Sequence, residues 1–319
     1  MGRTFINQLK TGDKVDEVFL LKSKDVKPYG EGKSSIHAQL ADKTGTLVAV
    51  MWDVNTAQIE SFGADGFLRV RGQISEYKNK QQLTIKDFSR ELIPPSLEEL
   101  FPSSEKDVRE LKKELEDIVG SVNDRYLSEL LRQFLADDDI SRRLSMCPAS
   151  VGYHHAYLGG LLDHIVSVTK LAMKVADHYQ RILNRDMLIT GMILHDIGKL
   201  RELSYQDGFK YTDQGRLVGH IVTGVLMVEE KAAKIKGFPP EQLDLLKHII
   251  LSHHGDVDTN SPRVPMTAEA LAVHYLDNMD AKLQGFSRTV AEDQSPDSRW
   301  TGFQKMFGTA LYKGGKGSG

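Results

Sequence analysis

The sequence predicts a multidomain chain in which an N-terminal all-β barrel is followed by an all-α domain. Three observations predict it: short alternating runs with glycine-containing turns up to about residue 93, a Pro94-Pro95 break, and helical periodicity from Glu98 onward. In SIHAQLAD, Ile36, Ala38 and Leu40 share one face while His37 and Gln39 take the other. FLRVRGQI puts Leu68, Val70 and Ile74 inside and Arg69, Arg71 and Gln73 outside. QLTIKDF buries Leu83 and Ile85 and exposes Thr84 and Lys86. With VDEVFLLKSKDV before them and TLVAVMWD between, five strands result, and VNTAQIESFGADG leaves room for a short helix between the third and fourth. That pattern predicts a closed barrel of the OB type.

Tandem prolines cannot continue a ladder, so Pro94-Pro95 closes the barrel. The run SSEKDVRE then supplies an N-cap and an acidic first turn, and helices follow to about residue 285. The expected boundaries are 1–93 for the barrel, 94–138 for a helical linker, 139–290 for the helical domain and 291–319 for a polar, frayed tail ending in KGGKGSG.

Composition narrows the function classes. The chain has 319 residues, 40% hydrophobic and 27% charged, as ordinary globular proteins do. No apolar run approaches the roughly 18–20 residues of a membrane span, and MGRTFINQLKTGDKV lacks the apolar core of a secretory signal. A cytoplasmic location without a membrane partner is therefore expected. The single Cys147 rules out an intramolecular disulfide framework and a thiolate cluster, leaving imidazole and carboxylate as metal ligands. The net charge is -3; residues 1–95 carry 14 Lys and Arg against 12 Asp and Glu, the remainder 27 against 32. So small an asymmetry says little about partners.

Chemistry is concentrated in histidines and aspartates. His195 and Asp196 sit in MILHDIGKL, with Gly198 expected to stop the helix. His164 falls in line with Val168, Leu171 and Val175 and so points inward. His253 and His254 close the helix PEQLDLLKHIILS, and Asp277 lies on the buried stripe of AEALAVHYLDNMDAKL with Val273. His220 stands alone between these groups. Inward His and Asp residues on separate helices are expensive to bury without a shared purpose. A metal centre supplies one, since an Asp between two sets of His can bridge two ions that activate water and clamp a phosphate. His154 and His155, in GYHHAYLGG, are further candidates to line the cavity; His178 and His248 read as helix-surface residues and His274 as a packing neighbour.

The order H…HD…H…HH…D resembles the HD-domain metal-dependent phosphohydrolases in their two-metal form. The strings YHHAYLGGLLDH, ILHDIGK, LGH, LKHIILSHHG and ALAVHYLDNMDAK resemble the YhaM-type 3′–5′ exoribonucleases, in which an OB-fold RNA-binding domain precedes the HD domain. The resemblance covers about residues 4–290. It implies that His164, His195, Asp196 and Asp277 hold one divalent ion, and that Asp196 bridges to a second completed by His220, His253 and His254. Asp280 rivals Asp277, which occupies the motif position. Mn²⁺ is the first choice of metal, with Fe, Co, Zn or Mg as alternatives. Lys199 corresponds to a lysine near the phosphate, the alternative being a helix C-terminal cation. Cyclic-di-GMP phosphodiesterases of the superfamily carry a GYP element after the His-His pair, where this chain reads HHGDVDTNSPRVP.

A polymer substrate gives the barrel a purpose. His37, Arg69, Arg71, Thr84 and Lys86 on the outward face, with Tyr29, Lys33, Tyr77, Lys78 and Lys80 in the loops, suit a single-strand groove in which cations meet phosphates and rings stack on bases. Trp52 either joins them or plugs the barrel end. The expected activity is two-metal hydrolysis of single-stranded RNA from the 3′ end to nucleoside 5′-monophosphates, with single-stranded DNA as an alternative substrate and room for a homo-oligomer. Two other readings stay open: a nucleotide or cyclic-dinucleotide phosphohydrolase with a regulatory barrel, and a non-catalytic RNA-binding adaptor.

Overall fold

The computed structural model describes residues 3–30, 32–78, 80–92, 94, 96–102, 106–151, 156–206, 208–256, 261–293, 295 and 298–314. These divide into two compact units, residues 1–105 with 204–210, and residues 106–203 with 211–319.

The first unit is the barrel. Strands β1 (Lys14–Tyr29), β2 (Lys33–Asp42), β3 (Gly45–Met51), β4 (Phe67–Tyr77) and β5 (Lys80–Glu91) close in the order β1-β2-β3-β5-β4, with β4 returning to β1. All pairings are antiparallel except β3 with β5. The alternation holds in space: Ile36, Leu40, Leu68, Val70, Ile74 and Leu83 are buried to 1% or less, in one core with Phe19 and Phe62. Helix α1 (Thr56–Phe62) lies between β3 and β4, as the sequence predicts, and starts on a reciprocal cap between Asn55 and Gln58. Helix α2 (Leu97–Leu100) belongs to this unit, where Phe101 meets Phe67 edge-on and stacks on Phe209 at 4.5 Å.

Closure depends on Gly72. The β4–β5 register shifts between Arg71 and Gly72, and a Cβ at Gly72 would sit 2.3 Å from the Thr84 carbonyl oxygen.

The second unit is helical. Helices α3 (Val108–Gly120), α4 (Arg125–Leu135), α5 (Asp138–Met146), α6 (Gly160–His178) and α7 (Arg185–Leu194) are followed by the single turn α8 (Lys199–Glu202). Two-residue strands β6 (Leu203–Ser204) and β7 (Lys210–Tyr211) precede α9 (Asp213–Ala232), α10 (Pro240–Ser252) and α11 (Ala268–Glu292). Leu111, Leu115, Leu127 and Leu131 of α3 and α4 share one core with Leu162, Leu188, Ile249 and Val273. The segment expected as a linker is thus largely core, because both helices present an apolar stripe that needs burial. The expected frayed tail is also corrected over residues 298–314, while 315–319 lie outside the described residues. Helix α11 runs to Glu292 and a hairpin follows, β8 (Trp300–Gln304) with β9 (Thr309–Tyr312), which buries Thr301 and Leu311. These strands are too short to show alternation against a polar background. Cys147 is buried, and its thiol is pushed up to about 12 chiefly by that burial. Among the described residues no helix is long and apolar enough to cross a membrane.

Replacing Gly72 with Ala forces backbone apart at the bulge and should destabilise the barrel by about 1–3 kcal/mol. A lowered unfolding midpoint in urea checks this, and an unchanged midpoint would mean that the bulge relaxes freely.

Candidate metal centre

Five helices and the turn α8 deliver polar side chains to one place in the second unit. Helix α7 is buried from Met187 to Leu194, and Gly191 allows close packing, since a Cβ there would meet Ile249 at 2.7 Å. The helix ends at Leu194, and His195 and Asp196 follow in a tight turn, with Ile197 N–H donating to the Leu194 carbonyl and Lys199 N–H to that of Asp196. Gly198 does not act as the expected helix stop. Its φ is -64°, and the reason for glycine is proximity: a Cβ would lie 1.9 Å from the His220 carbonyl oxygen. Gly219, at φ +76°, breaks α9 one residue before His220.

The donor atoms form two groups, His164, His195, Asp196 and Asp277 in one and His220, His253 and His254 in the other, with the atoms of each within 4.8 Å of one another. His164 Nε2 lies 3.2 Å from Asp277 Oδ1, 3.4 Å from His195 Nε2 and 3.7 Å from Asp196 Oδ2. His195 Nε2 is 3.4 Å from Asp196 Oδ2 and 3.6 Å from Asp277 Oδ1. The other oxygen, Asp196 Oδ1, is 3.5 Å from His220 Nε2 and 3.7 Å from His253 Nε2. Ligands bound at about 2.0–2.2 Å around one ion stand roughly 3–3.5 Å apart, so these separations suit the edges of a coordination polyhedron.

The opposite ring nitrogens of His164, His195, His220 and His253 are occupied. His195 Nδ1 donates to the Met192 carbonyl at 2.7 Å and His253 Nδ1 to that of Ile250 at 2.8 Å. His164 Nδ1 is 3.0 Å from Asp280 Oδ2, and His220 Nδ1 is 3.0 Å from Glu202 Oε1, which also accepts from the His220 backbone N–H. Once neutral, rings so held turn lone pairs on Nε2 toward the centre. Asp196 Oδ1, His220 Nε2 and His253 Nε2 are buried without a hydrogen-bond partner. A divalent cation would satisfy all three, and the all-imidazole and carboxylate donor set fits Mn, Fe, Co or Zn.

The electrostatics ask for positive charge. Burial alone would raise the Asp196 carboxyl, but the Lys199 ammonium and His195 hold it well below the usual range. Burial likewise opposes ionisation of Asp277, and His164 and His195 outweigh it. His195 is lifted against burial to about 10 by Asp196 and Asp277. His253 is pushed well below its ordinary value by burial and by neighbouring His195.

Lys199 lies in the single turn α8, and its Nζ lies 2.6 Å from Asp196 Oδ2. Asp277 faces the Nε2 side of His164 and Asp280 the Nδ1 side, which separates the two rivals into a candidate ligand and an orienting group. Glu202 was not among the residues singled out from the sequence. A Glu at the end of a polar turn carries no signal there, and only its 8% exposure marks it. His274 donates from Nδ1 to the His253 carbonyl and so supports the His-His turn. His248 accepts from the Met266 N–H, and His178 lies at the end of α6. His154 and His155 lie outside the described residues. A cavity of about 640 Å³ borders Lys199, Glu202, His220 and His254.

On the barrel, Trp52 does not plug the end. It is about half exposed, edge-on to Tyr29 at 5.1 Å and 6.1 Å from His37. Lys33 pairs with Asp53, and the Lys78 ammonium sits 5.4 Å from the centre of the exposed Tyr77 ring. Lys80 and Lys86 are exposed on β5, and half-buried Thr84 bonds Ser75. Arg69 and Arg71 are held elsewhere, in an ion-pair ladder with Asp16 and Asp87. Asp16 and Asp25, the β1 neighbours of Arg71 and His37, are nine residues apart along the strand. Strand alternation located these arginines outside but could not disclose their cross-strand partners.

The HD-domain family model matches residues 161–282. The chain is 32% identical over 285 residues to the 3′-5′ exoribonuclease YhaM of Bacillus velezensis, covering 88% of this chain and 89% of that one. It is 34% identical over 287 residues to the protein of that name from Listeria monocytogenes serotype 4b, again covering 88% and 89%. A chain from a replication protein A heterotrimer bound to ssDNA matches 27% of this chain at 13% identity, and its TM-score of 0.20 is too low to carry an argument.

Two outcomes are expected. Ligation needs neutral imidazole, so with His195 at about 10 metal uptake at neutral pH should release protons, and affinity should rise with pH up to that value. Titration calorimetry in buffers of different ionisation enthalpy counts the protons, and none released would contradict the protonation. Asp280→Ala should weaken divalent-metal affinity about 10–100-fold by freeing the His164 ring, as read by competition with a chromogenic chelator.

Proposed function

The chain belongs to the family of 3′-5′ exoribonucleases named YhaM, and from that membership we propose that it hydrolyses single-stranded RNA from the 3′ end to nucleoside 5′-monophosphates, using two divalent ions. The observation that carries this reading is the split carboxylate of Asp196, whose two oxygens face different sets of imidazoles. His164, His195, Asp196 and Asp277 would hold one ion, and His220, His253 and His254, with Asp196 facing them, would hold the other. Mn²⁺ is the preferred metal. Bound there, divalent ions acidify water and neutralise charge on a phosphodiester.

The side chains do the rest. Asp280, Glu202 and the Met192 and Ile250 carbonyls fix the four rings, so the centre needs little reorganisation when charge develops. Lys199, lining the cavity, presents its ammonium to a non-bridging phosphoryl oxygen. On the barrel, the rings of Tyr29, Trp52, His37 and Tyr77 stack on bases, while Lys78, Lys80 and Lys86 meet phosphates and Lys33, paired with Asp53, contributes less. Arg69 and Arg71, already neutralised by Asp16 and Asp87, contribute less.

Metal-stripped protein incubated with 5′-labelled single-stranded RNA should produce a ladder shrinking from the 3′ end only when Mn²⁺ is restored. Asp196→Ala should abolish turnover while the circular dichroism spectrum is retained. Intact RNA beside hydrolysed small nucleotides would instead make the chain a nucleotide phosphohydrolase, and RNA binding without any hydrolysis an adaptor.

A further inference from the structure

We propose that the cavity beside the metal centre seats the 3′-terminal nucleoside of the RNA and grips its base by stacking and apolar contact, without reading its edges; this rests on the exoribonuclease reading above. The cavity, about 640 Å³, falls within the range of roughly 300–1,000 Å³ typical of small-ligand sites. It borders Lys199, His220 and His254, so a terminal phosphodiester held at the centre leaves the last nucleoside in the adjoining space.

The wall of that space is apolar and exposed. Leu217 is 86% exposed, and Tyr211, Val218 and Val222 are each exposed by 40% or more. Large apolar side chains grouped at the mouth of a polar site mark a surface that a ligand covers. The wall is also tied to the centre. A Cβ on Gly215, in the first turn of α9, would stand 2.3 Å from the Glu202 carbonyl oxygen, so this turn is pressed against the residue that orients His220. The kink at Gly219 then sets residues 217 and 218 apart from the rest of α9.

The polar lining offers a base edge few partners. Among the described residues the cavity has no Asn or Gln to pair with a base edge, and the Glu202 carboxylate is engaged with His220. Arg216, which has no ion pair among the described residues, faces solvent at the rim and suits the next phosphate. A ring face from Tyr211 and an aliphatic wall from Leu217 accept any base, because every base offers a π-face and an apolar surface.

Tyr211→Ala and Leu217→Ser test the seat in the Mn²⁺-loaded full chain, with 3′-end shortening of single-stranded RNA as the assay. Each should raise KM about tenfold while kcat changes by less than about twofold, as expected for lost base stacking. Wild-type protein given RNA whose 3′-terminal residue lacks its base should show the same rise, and the variants should lose nothing further on that substrate. Oligo(A), oligo(C) and oligo(U) should be shortened at similar rates. Wild-type KM in both variants, or additive losses on the abasic RNA, would overturn the proposal while leaving the exoribonuclease intact. A wild-type protein that shortens no RNA would instead overturn the functional reading on which the proposal stands.

Discussion

Asp196 is the constraint from which the second unit is built. Its carboxylate is 1% exposed and held ionised by Lys199 and the surrounding imidazoles, yet one of its oxygens has no hydrogen-bond partner. Burying an ionised carboxylate is unfavourable by several kcal/mol unless cations or strong donors surround it. The packing serves that need. Gly191 lets α7 approach α10, and Gly198 lets the His-Asp turn touch the backbone of His220. Larger residues at either place would separate the His and Asp groups that Asp196 faces.

Around this centre lies a layer that fixes direction. Each of the four inward-facing rings, those of His164, His195, His220 and His253, is pinned through Nδ1, two by carbonyls of their own helices and two by the carboxylates Asp280 and Glu202. A backbone partner three residues back comes without extra sequence, because a helix end leaves carbonyls unpaired. Carboxylate partners must be supplied from elsewhere and raise the basicity of the ring they hold. The geometry is therefore set before any substrate arrives, which suits a site that stabilises developing charge.

The barrel solves a different problem. Its interior is filled by aliphatic and phenyl side chains, so only its outside is open to a ligand. There the aromatic cluster of Tyr29, Trp52 and His37 stands at the Tyr29 end of β1, while the arginines of β4 spend their charge on Asp16 and Asp87. Lys78, Lys80 and Lys86, which have no ion pair among the described residues, are the cations left for the proposed contact with an anionic strand.

By itself the amino-acid order determined the barrel, the helical unit and the inward-facing His and Asp residues, because alternation and 3.6-residue periodicity record burial locally and a buried imidazole stands out against an apolar stripe. It did not determine which of Asp277 and Asp280 faces the centre, since both lie on the same side of α11 three residues apart and only the position of His164 distinguishes them. Glu202 and the pairing of Arg69 and Arg71 were hidden for a related reason: the partner is remote in sequence and the residue looks solvated on its own element. The glycine at 198 read as a helix terminator because its requirement comes from another segment's backbone. The residues expected as linker and tail turned out to be packed helices and a hairpin, because their apolar positions gain meaning only opposite the surfaces that cover them. Tertiary structure decided the contacts whose two halves the chain never brings near each other until it folds.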